Sequence, residues 1–141
     1  MSGSRFFDTN VLYYACDNTD AAKQQTALEL LNEATAVGDG HISTQVLGEF
    51  FSVTTRKKLL TAGEAVLAVR GFVKSFTVAP VEIPLVEKAM AIHLRYQTSY
   101  YDSLIIAAAA QQGCAEIVSE DLNDGQTYEG VRVRNPFQAA P

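Results

Sequence analysis

The sequence predicts an α/β protein, a three-layer α/β/α sandwich around a central parallel sheet, and three observations carry that prediction. Short apolar strand candidates alternate with helical segments along the chain, which implies right-handed crossovers and parallel strands. Residues 100–112 make a helix with almost no polar face, as expected of a segment buried against a sheet. The 141 residues, 48% of them hydrophobic, suffice for one layered core and leave no room for a second large one, so a single domain over residues 1–141 is expected.

Taken in order, Arg5-Phe6-Phe7 is a short strand that stops at Asp8-Thr9-Asn10, whose side chains can cap a short helix through Ala15. Between 20 and 37 the apolar positions Ala27, Leu28, Leu31 and Ala34 recur at helical spacing, and Gly38 is a plausible stop. His41-Ile42-Ser43 reads as a brief strand, and Thr44 can cap a helix to about residue 58 with Val46, Leu47, Phe50, Phe51 and Val53 turned inward. Further helices are expected over about 62–74 and from Pro84, placed at a first helical position, to residue 96; a strand at 76–81 separates them. After the apolar helix come a strand at 116–119, a polar turn at 120–125 and a last strand at 130–133. No repeat or linker-like stretch interrupts this order.

Composition narrows the function. The longest apolar run, Leu104 to Ala110, is far short of the roughly 20 residues that span a bilayer, so a soluble protein without a membrane role is expected. Cys16 and Cys114 are far apart and form no metal-spaced pair, which suits reduced thiols in a cytoplasm. The net charge of −5 argues against a protein that wraps nucleic acid electrostatically. That average misleads if several carboxylates are gathered around bound cations, which would reverse the local sign.

Four acids invite that reading. In an open parallel sheet, ligands bind beyond the carboxyl ends of strands, where Asp8 and Asp121 are expected. Glu49 falls at the margin of the inward stripe of its helix, and Asp102 stands at the start of the apolar helix. Each has a plain structural role available: a cap for Asp8 and Asp102, a turn brace for Asp121, a solvated face for Glu49. Together they lack obvious basic partners. Carboxylates about 4 Å apart repel by roughly 4 kcal/mol at an effective dielectric near 20, so a cluster needs a cation or raised pKa values. Oxygen donors without His or Cys at ligand spacing select Mg²⁺ or Mn²⁺.

The segments FFDTNVLYYA, STQVLGEFF, YYDSLIIAAA, VSEDLNDG and VRVRNPF, in this order, resemble the PIN-domain ribonucleases and within them the VapC toxins of toxin-antitoxin pairs, over about residues 4–137. The resemblance implies that Asp8, Glu49, Asp102 and Asp121 are the acidic set, with Thr9 or Asn10 and Ser119 as polar supports. Asp124 competes with Asp121 in the same turn; Asp121 is favoured because Ser119-x-Asp121 follows directly from the strand, as the family pattern has it. RNA as target, 5′-phosphate products, a cognate antitoxin over the acid pocket and the groove between early helices, and a homodimer are further implications of the resemblance.

An acid cluster without a Ser or Cys nucleophile paired to a base points to hydrolysis of a phosphodiester by metal-activated water. Asp8 and Asp102 are the expected metal ligands, with Asp121 and Glu49 completing the shell or positioning water. Arg56, seven residues beyond Glu49 and on nearly the same helix face, and Lys57 are the candidates for gripping backbone phosphates. Tyr100 and Tyr101 are expected to pack at their helix start rather than stack on bases, and His41 and His93 to be structural. A haloacid-type phosphatase would need an aspartate where Asn10 stands, a receiver domain a different order of acids and lysine, and a P-loop enzyme the GxxxxGK[ST] motif, which is missing. The remaining alternative is a catalytically inactive metal- or partner-binding module of the same fold.

Overall fold

The computed structural model describes residues 3–138; the domain limits expected at 1 and 141 lie outside them. The chain runs β1 (Arg5–Phe7), α1 (Thr9–Cys16), α2 (Ala21–Val37), β2 (Gly40–Ser43), α3 (Thr44–Arg56), α4 (Ala62–Ser75), β3 (Thr77–Ala79), α5 (Ile83–Tyr96), α6 (Tyr100–Gln111), β4 (Glu116–Val118), β5 (Thr127–Tyr128) and β6 (Val131–Arg134). The strands form one sheet in the order β3-β2-β1-β4-β6-β5. Among the described residues no helix is long and apolar enough to cross a membrane.

That order places a switch point at β1. The chain steps from β1 to β2 to β3 in one direction, then returns through α5 and α6 to β4 on the other side of β1. Right-handed crossovers therefore set α1 to α4 on one face and α5 with α6 on the other. A crevice opens beyond the carboxyl ends of β1 and β4, where Asp8 and Ser119 emerge.

All neighbouring strands are parallel except β5 and β6. The central parallel sheet expected from the sequence is present, and one edge carries an antiparallel hairpin that the sequence reading did not foresee. Thr127–Tyr128 is too short to show a period, and Glu129 and Gly130, at φ of 49° and 81°, turn the chain straight back as a two-residue hairpin.

Helix starts follow local chemistry. Asp20 caps α2 through the Lys23 amide, and Gly38 ends it in the left-handed conformation. Thr61 and Glu64 form a capping box on α4. The cap of α3 is Ser43, not Thr44: Ser43 Oγ accepts from the Val46 amide, while Thr44 Oγ1 accepts from the Val81 amide. Pro84 sits one position inside α5, which begins at Ile83. Two expected core residues turn out exposed, Leu28 and Phe51. Both lie about 100° or more from the centre of the buried stripe on their helix, Ala27-Leu30-Leu31-Ala34 and Val46-Phe50-Thr54 respectively.

Phe6, Phe7, Phe50, Ile42, Ile105, Ile106 and Ile117 are among the largest fully buried side chains, and the run Ser103 to Ala109 of α6 is buried throughout. Packing is tight where β2 begins. A Cβ added at Gly40 would meet the Phe76 ring at 2.5 Å and Ala34 Cβ at 3.2 Å. Gly40→Ala is therefore expected to destabilise the fold by about 1–3 kcal/mol, read as a lower urea midpoint at unchanged slope.

Cys114 is buried and Cys16 half-buried, both as free thiols. Burial, with the charge of Asp39 adding to it, pushes the Cys114 thiol up to about 12, so it is unreactive at neutral pH. His41 Nδ1 meets Gln112 Oε1, and His93 Nδ1 meets the Thr98 carbonyl at the end of α5, as structural roles require.

Candidate active site

Asp8 is the N-cap of α1 and ends β1, so its carboxylate is pinned where sheet gives way to helix. Oδ1 accepts from the Thr9 amide at 2.7 Å and Oδ2 from Ser119 Oγ at 2.7 Å. The group is 5% exposed. Burial raises its pKa to about 7; the Ser119 and Thr9 bonds pull the other way, and the charges of Asp121 and Glu49 add to the rise.

Asp121 follows β4 by three residues, and Asn10 ties its turn to α1. The Asn10 amide donates to Ser119 Oγ and to Asp121 Oδ2, each at 3.2 Å, while Asn10 Oδ1 accepts from the Glu120 amide at 3.3 Å. Ser119 bonds Asp8, and both of the alternatives expected beside it, Thr9 and Asn10, are engaged. Thr9 Oγ1 donates to Glu49 Oε1 at 3.0 Å and Asn10 holds the Asp121 turn. Asp124 faces elsewhere: its Oδ1 accepts from the Asn135 amide at 2.8 Å.

Asp102 is in the first turn of α6, where Ser99 Oγ caps its amide at 3.1 Å. It is half-buried, and its pKa is raised, chiefly by burial and further by Asp121, against the lowering effect of the Ser99 hydroxyl.

Asp8, Glu49, Asp102 and Asp121 all line one cavity of about 760 Å³. Arg56 and Lys57 line it too, so the structure brings together all six residues singled out from the sequence. Gln45, Glu49, Ser52, Val53 and Arg56 share one face of α3, which forms a wall running about 16 Å from Gln45 to Arg56. Gln45 and Ser52 escaped the sequence reading, although their spacing from Glu49 and Arg56 is helical. Tyr13, Tyr14 and Glu120 also line the cavity. Lys23 Nζ and Tyr14 Oη both bond Glu120, at 2.9 and 2.6 Å, bracing the turn that carries Asp121.

Tyr101 departs from expectation. Tyr100 packs against the core, but Tyr101, one position further round the first turn of α6, is 62% exposed on the cavity wall.

Among the described residues, no three His, Cys, Asp or Glu side chains stand close enough to enclose a metal ion on their own. The convergence expected from the sequence therefore extends to a shared cavity and mutual repulsion but not to a closed ligand cage. The donor set still fits a hard cation. It is all oxygen, and none of the four acids has an ion-pair partner among the described residues. Mg²⁺ commonly binds through one or two carboxylates, waters and substrate phosphate, which does not demand a cage.

The PIN domain family matches residues 5–125. No curated protein matches the chain. Among solved structures, VapC20 of Mycobacterium tuberculosis, described as a sarcin-ricin-loop-cleaving toxin, is 22% identical with a TM-score of 0.64, covering 81% of this chain and 87% of that one. A toxin-antitoxin complex from Klebsiella pneumoniae gives 18% and 0.70, covering 96% of this chain and 100% of that one. DNA-bound VapBC from Salmonella typhimurium gives 20% and 0.70, covering 96% and 99%. At these identities the likeness is one of fold.

Proposed function

This chain belongs to the PIN-domain family, and from that premise we propose that it is a metal-dependent endoribonuclease, the VapC-type toxin of a toxin-antitoxin pair. The observation that carries the reading is the cavity at the switch point, lined by four carboxylates that have no ion-pair partner among the described residues and by two cationic side chains. Such a pairing of signs suits a cation-assisted reaction on a polyanion.

Asp8 and Asp102 would hold Mg²⁺ or Mn²⁺. When bound, the ion would supply Lewis acidity toward a phosphodiester and lower the pKa of water. The protein's own part is positional and electrostatic. Ser119 and the Thr9 amide fix both oxygens of Asp8, so its carboxylate cannot rotate away. Asp121 and Glu49, which Asn10 and Thr9 hold by hydrogen bonds, would align water and accept its proton. Arg56 and Lys57 would hold phosphates along the α3 wall. Arg56→Ala and Lys57→Ala are expected to raise KM with kcat little changed, and to flatten the salt dependence of RNA binding by about 0.7 for each phosphate no longer neutralised.

The proposal extends to one nuclease domain over residues 1–141, a cognate antitoxin, a homodimer and a cytoplasmic location. The toxin-antitoxin complexes among the fold's relatives support the antitoxin. The rival reading, an inactive metal- or partner-binding module, draws on the lack of a ready-made ligand cage among the described residues. Sequencing of RNA ends after controlled expression, beside an Asp8→Asn control, separates the two. Discrete new 5′-phosphate ends that need the native Asp8 support a ribonuclease, and identical end profiles for both proteins support the inert module.

A further inference from the structure

Three tyrosines line the acid cavity, and their environments differ. Tyr13 carries Lys57 Nζ 5.4 Å from its ring centroid. Tyr14 carries Lys23 Nζ at 4.4 Å and meets the Phe137 ring at 5.0 Å. Each of these two rings carries a cation over one face. Tyr101 touches one ring, Tyr100, in a T-shaped contact at 5.2 Å and 74°. Such a contact covers at most one face, so the other is uncovered by any ring or cation among the described residues. The side chain is also anchored at its base, since Gln45 Nε2 donates to the Tyr101 carbonyl at 3.3 Å and the first turn of α6 is capped by Ser99.

Position gives this bare ring a purpose. Tyr101 adjoins Asp102 and lies by Gln45, at one end of the α3 wall, while Arg56 and Lys57 lie at the other and Glu49 between them. A strand laid along the wall with its phosphates at the cationic end would bring a base to Tyr101. Exposing so large an apolar group to water is unfavourable, and an unpaired base is a flat partner that removes it from water.

We propose that Tyr101 is a base-stacking subsite, a ring onto which one base of an RNA held in this cavity is splayed. The inference rests on the ribonuclease reading above for the identity of the ligand, and on the ring's geometry for the subsite. A base inside a duplex is stacked on both faces and cannot use the ring, so a duplex serves as the control that leaves this subsite empty.

The test measures binding by fluorescence anisotropy in Mg²⁺, with Asp8→Asn present throughout to prevent turnover. The probes are a short unstructured RNA, its duplex, and an abasic ribose-phosphate chain of equal length. Adding Tyr101→Ala is expected to weaken the unstructured RNA about 5- to 150-fold. Tyr101→Phe keeps the π face and should stay close to the parent, while the duplex and abasic probes should not respond to either change. Equal weakening of base-bearing and abasic probes, an unchanged affinity for unstructured RNA, or no binding of that RNA by the parent overturns the subsite. If Tyr101→Ala fails to fold, Tyr101→Leu, apolar but without a π face, takes its place with the same expected loss. Cleavage by the protein without Asp8→Asn is followed in parallel. Absence of cleavage there counts against the ribonuclease reading, whereas cleavage with no effect of Tyr101→Ala on binding counts against the subsite alone.

Discussion

Asp102→Asn is expected to lower Mg²⁺-dependent RNA cleavage by about 10²- to 10³-fold while leaving the protein folded. Loss of one charged group that holds a catalytic cation removes about 3–4 kcal/mol of transition-state stabilisation, and each 1.36 kcal/mol is tenfold in rate. Position 102 isolates that effect. The side chain is half-buried, and the cap bond from Ser99 goes to the backbone amide, which survives substitution. Removing a charge that Asp121 already repels should not unfold the helix start. The readouts are single-turnover cleavage of RNA at saturating Mg²⁺ and a far-UV spectrum for the fold. Cleavage within threefold of the parent, in a folded variant, would remove Asp102 from the metal site and with it the proposed mechanism.

Much of this site was legible in the sequence because each acid sits at a boundary that residue patterns mark. Asp8 follows a short strand closed by two phenylalanines, Asp102 opens the most apolar helix, and Glu49 flanks a stripe whose period can be counted. Choosing Asp121 over Asp124 followed the family pattern; in the structure Asp121 lines the cavity, whereas Asp124 accepts from the Asn135 amide. What stayed hidden depends on contacts between distant segments. The hairpin of β5 and β6 has too few residues to show a period, and Asn10's link to the 119–121 turn spans more than a hundred positions. Tyr100 and Tyr101 look alike in a string of letters; helical geometry packs one, half-buried, against the core and turns the other to the cavity. The absence of a closed ligand trio among the described residues likewise depends on side-chain separations that spacing along a chain does not fix.

Asp8→Asn is expected to change the sign of its effect on stability with pH when divalent metal is removed. In the unfolded chain Asp8 takes up its proton near 3.8, and in the folded protein near 7. Between these values the native state binds more protons, so unfolding free energy falls as pH rises. The contribution is fully present below about pH 4 and lost through pH 7, and it amounts to about 4 kcal/mol. Asparagine carries no charge and escapes this loss, but it brings a cost of its own. Ser119 Oγ already accepts from Asn10 and from the Asp121 amide, and it donates to Asp8. With one carbonyl oxygen facing two donors, Asn at position 8 forfeits a bond worth about 1–2 kcal/mol. The variant should therefore be less stable than the parent by that amount near pH 4 and more stable by about 2 kcal/mol at pH 8. The latter difference is roughly 6 °C in melting temperature for a chain of this length. Other carboxylates titrate in both proteins, so the difference between the two melting curves isolates Asp8. Adding Mg²⁺ at pH 8 should raise the parent's melting point, since the ion binds the native carboxylate, and leave the variant's almost unmoved. Parallel pH profiles for the two proteins would mean that Asp8 ionises as an ordinary surface acid, and that neither its burial nor its charged neighbours shape the cavity's chemistry.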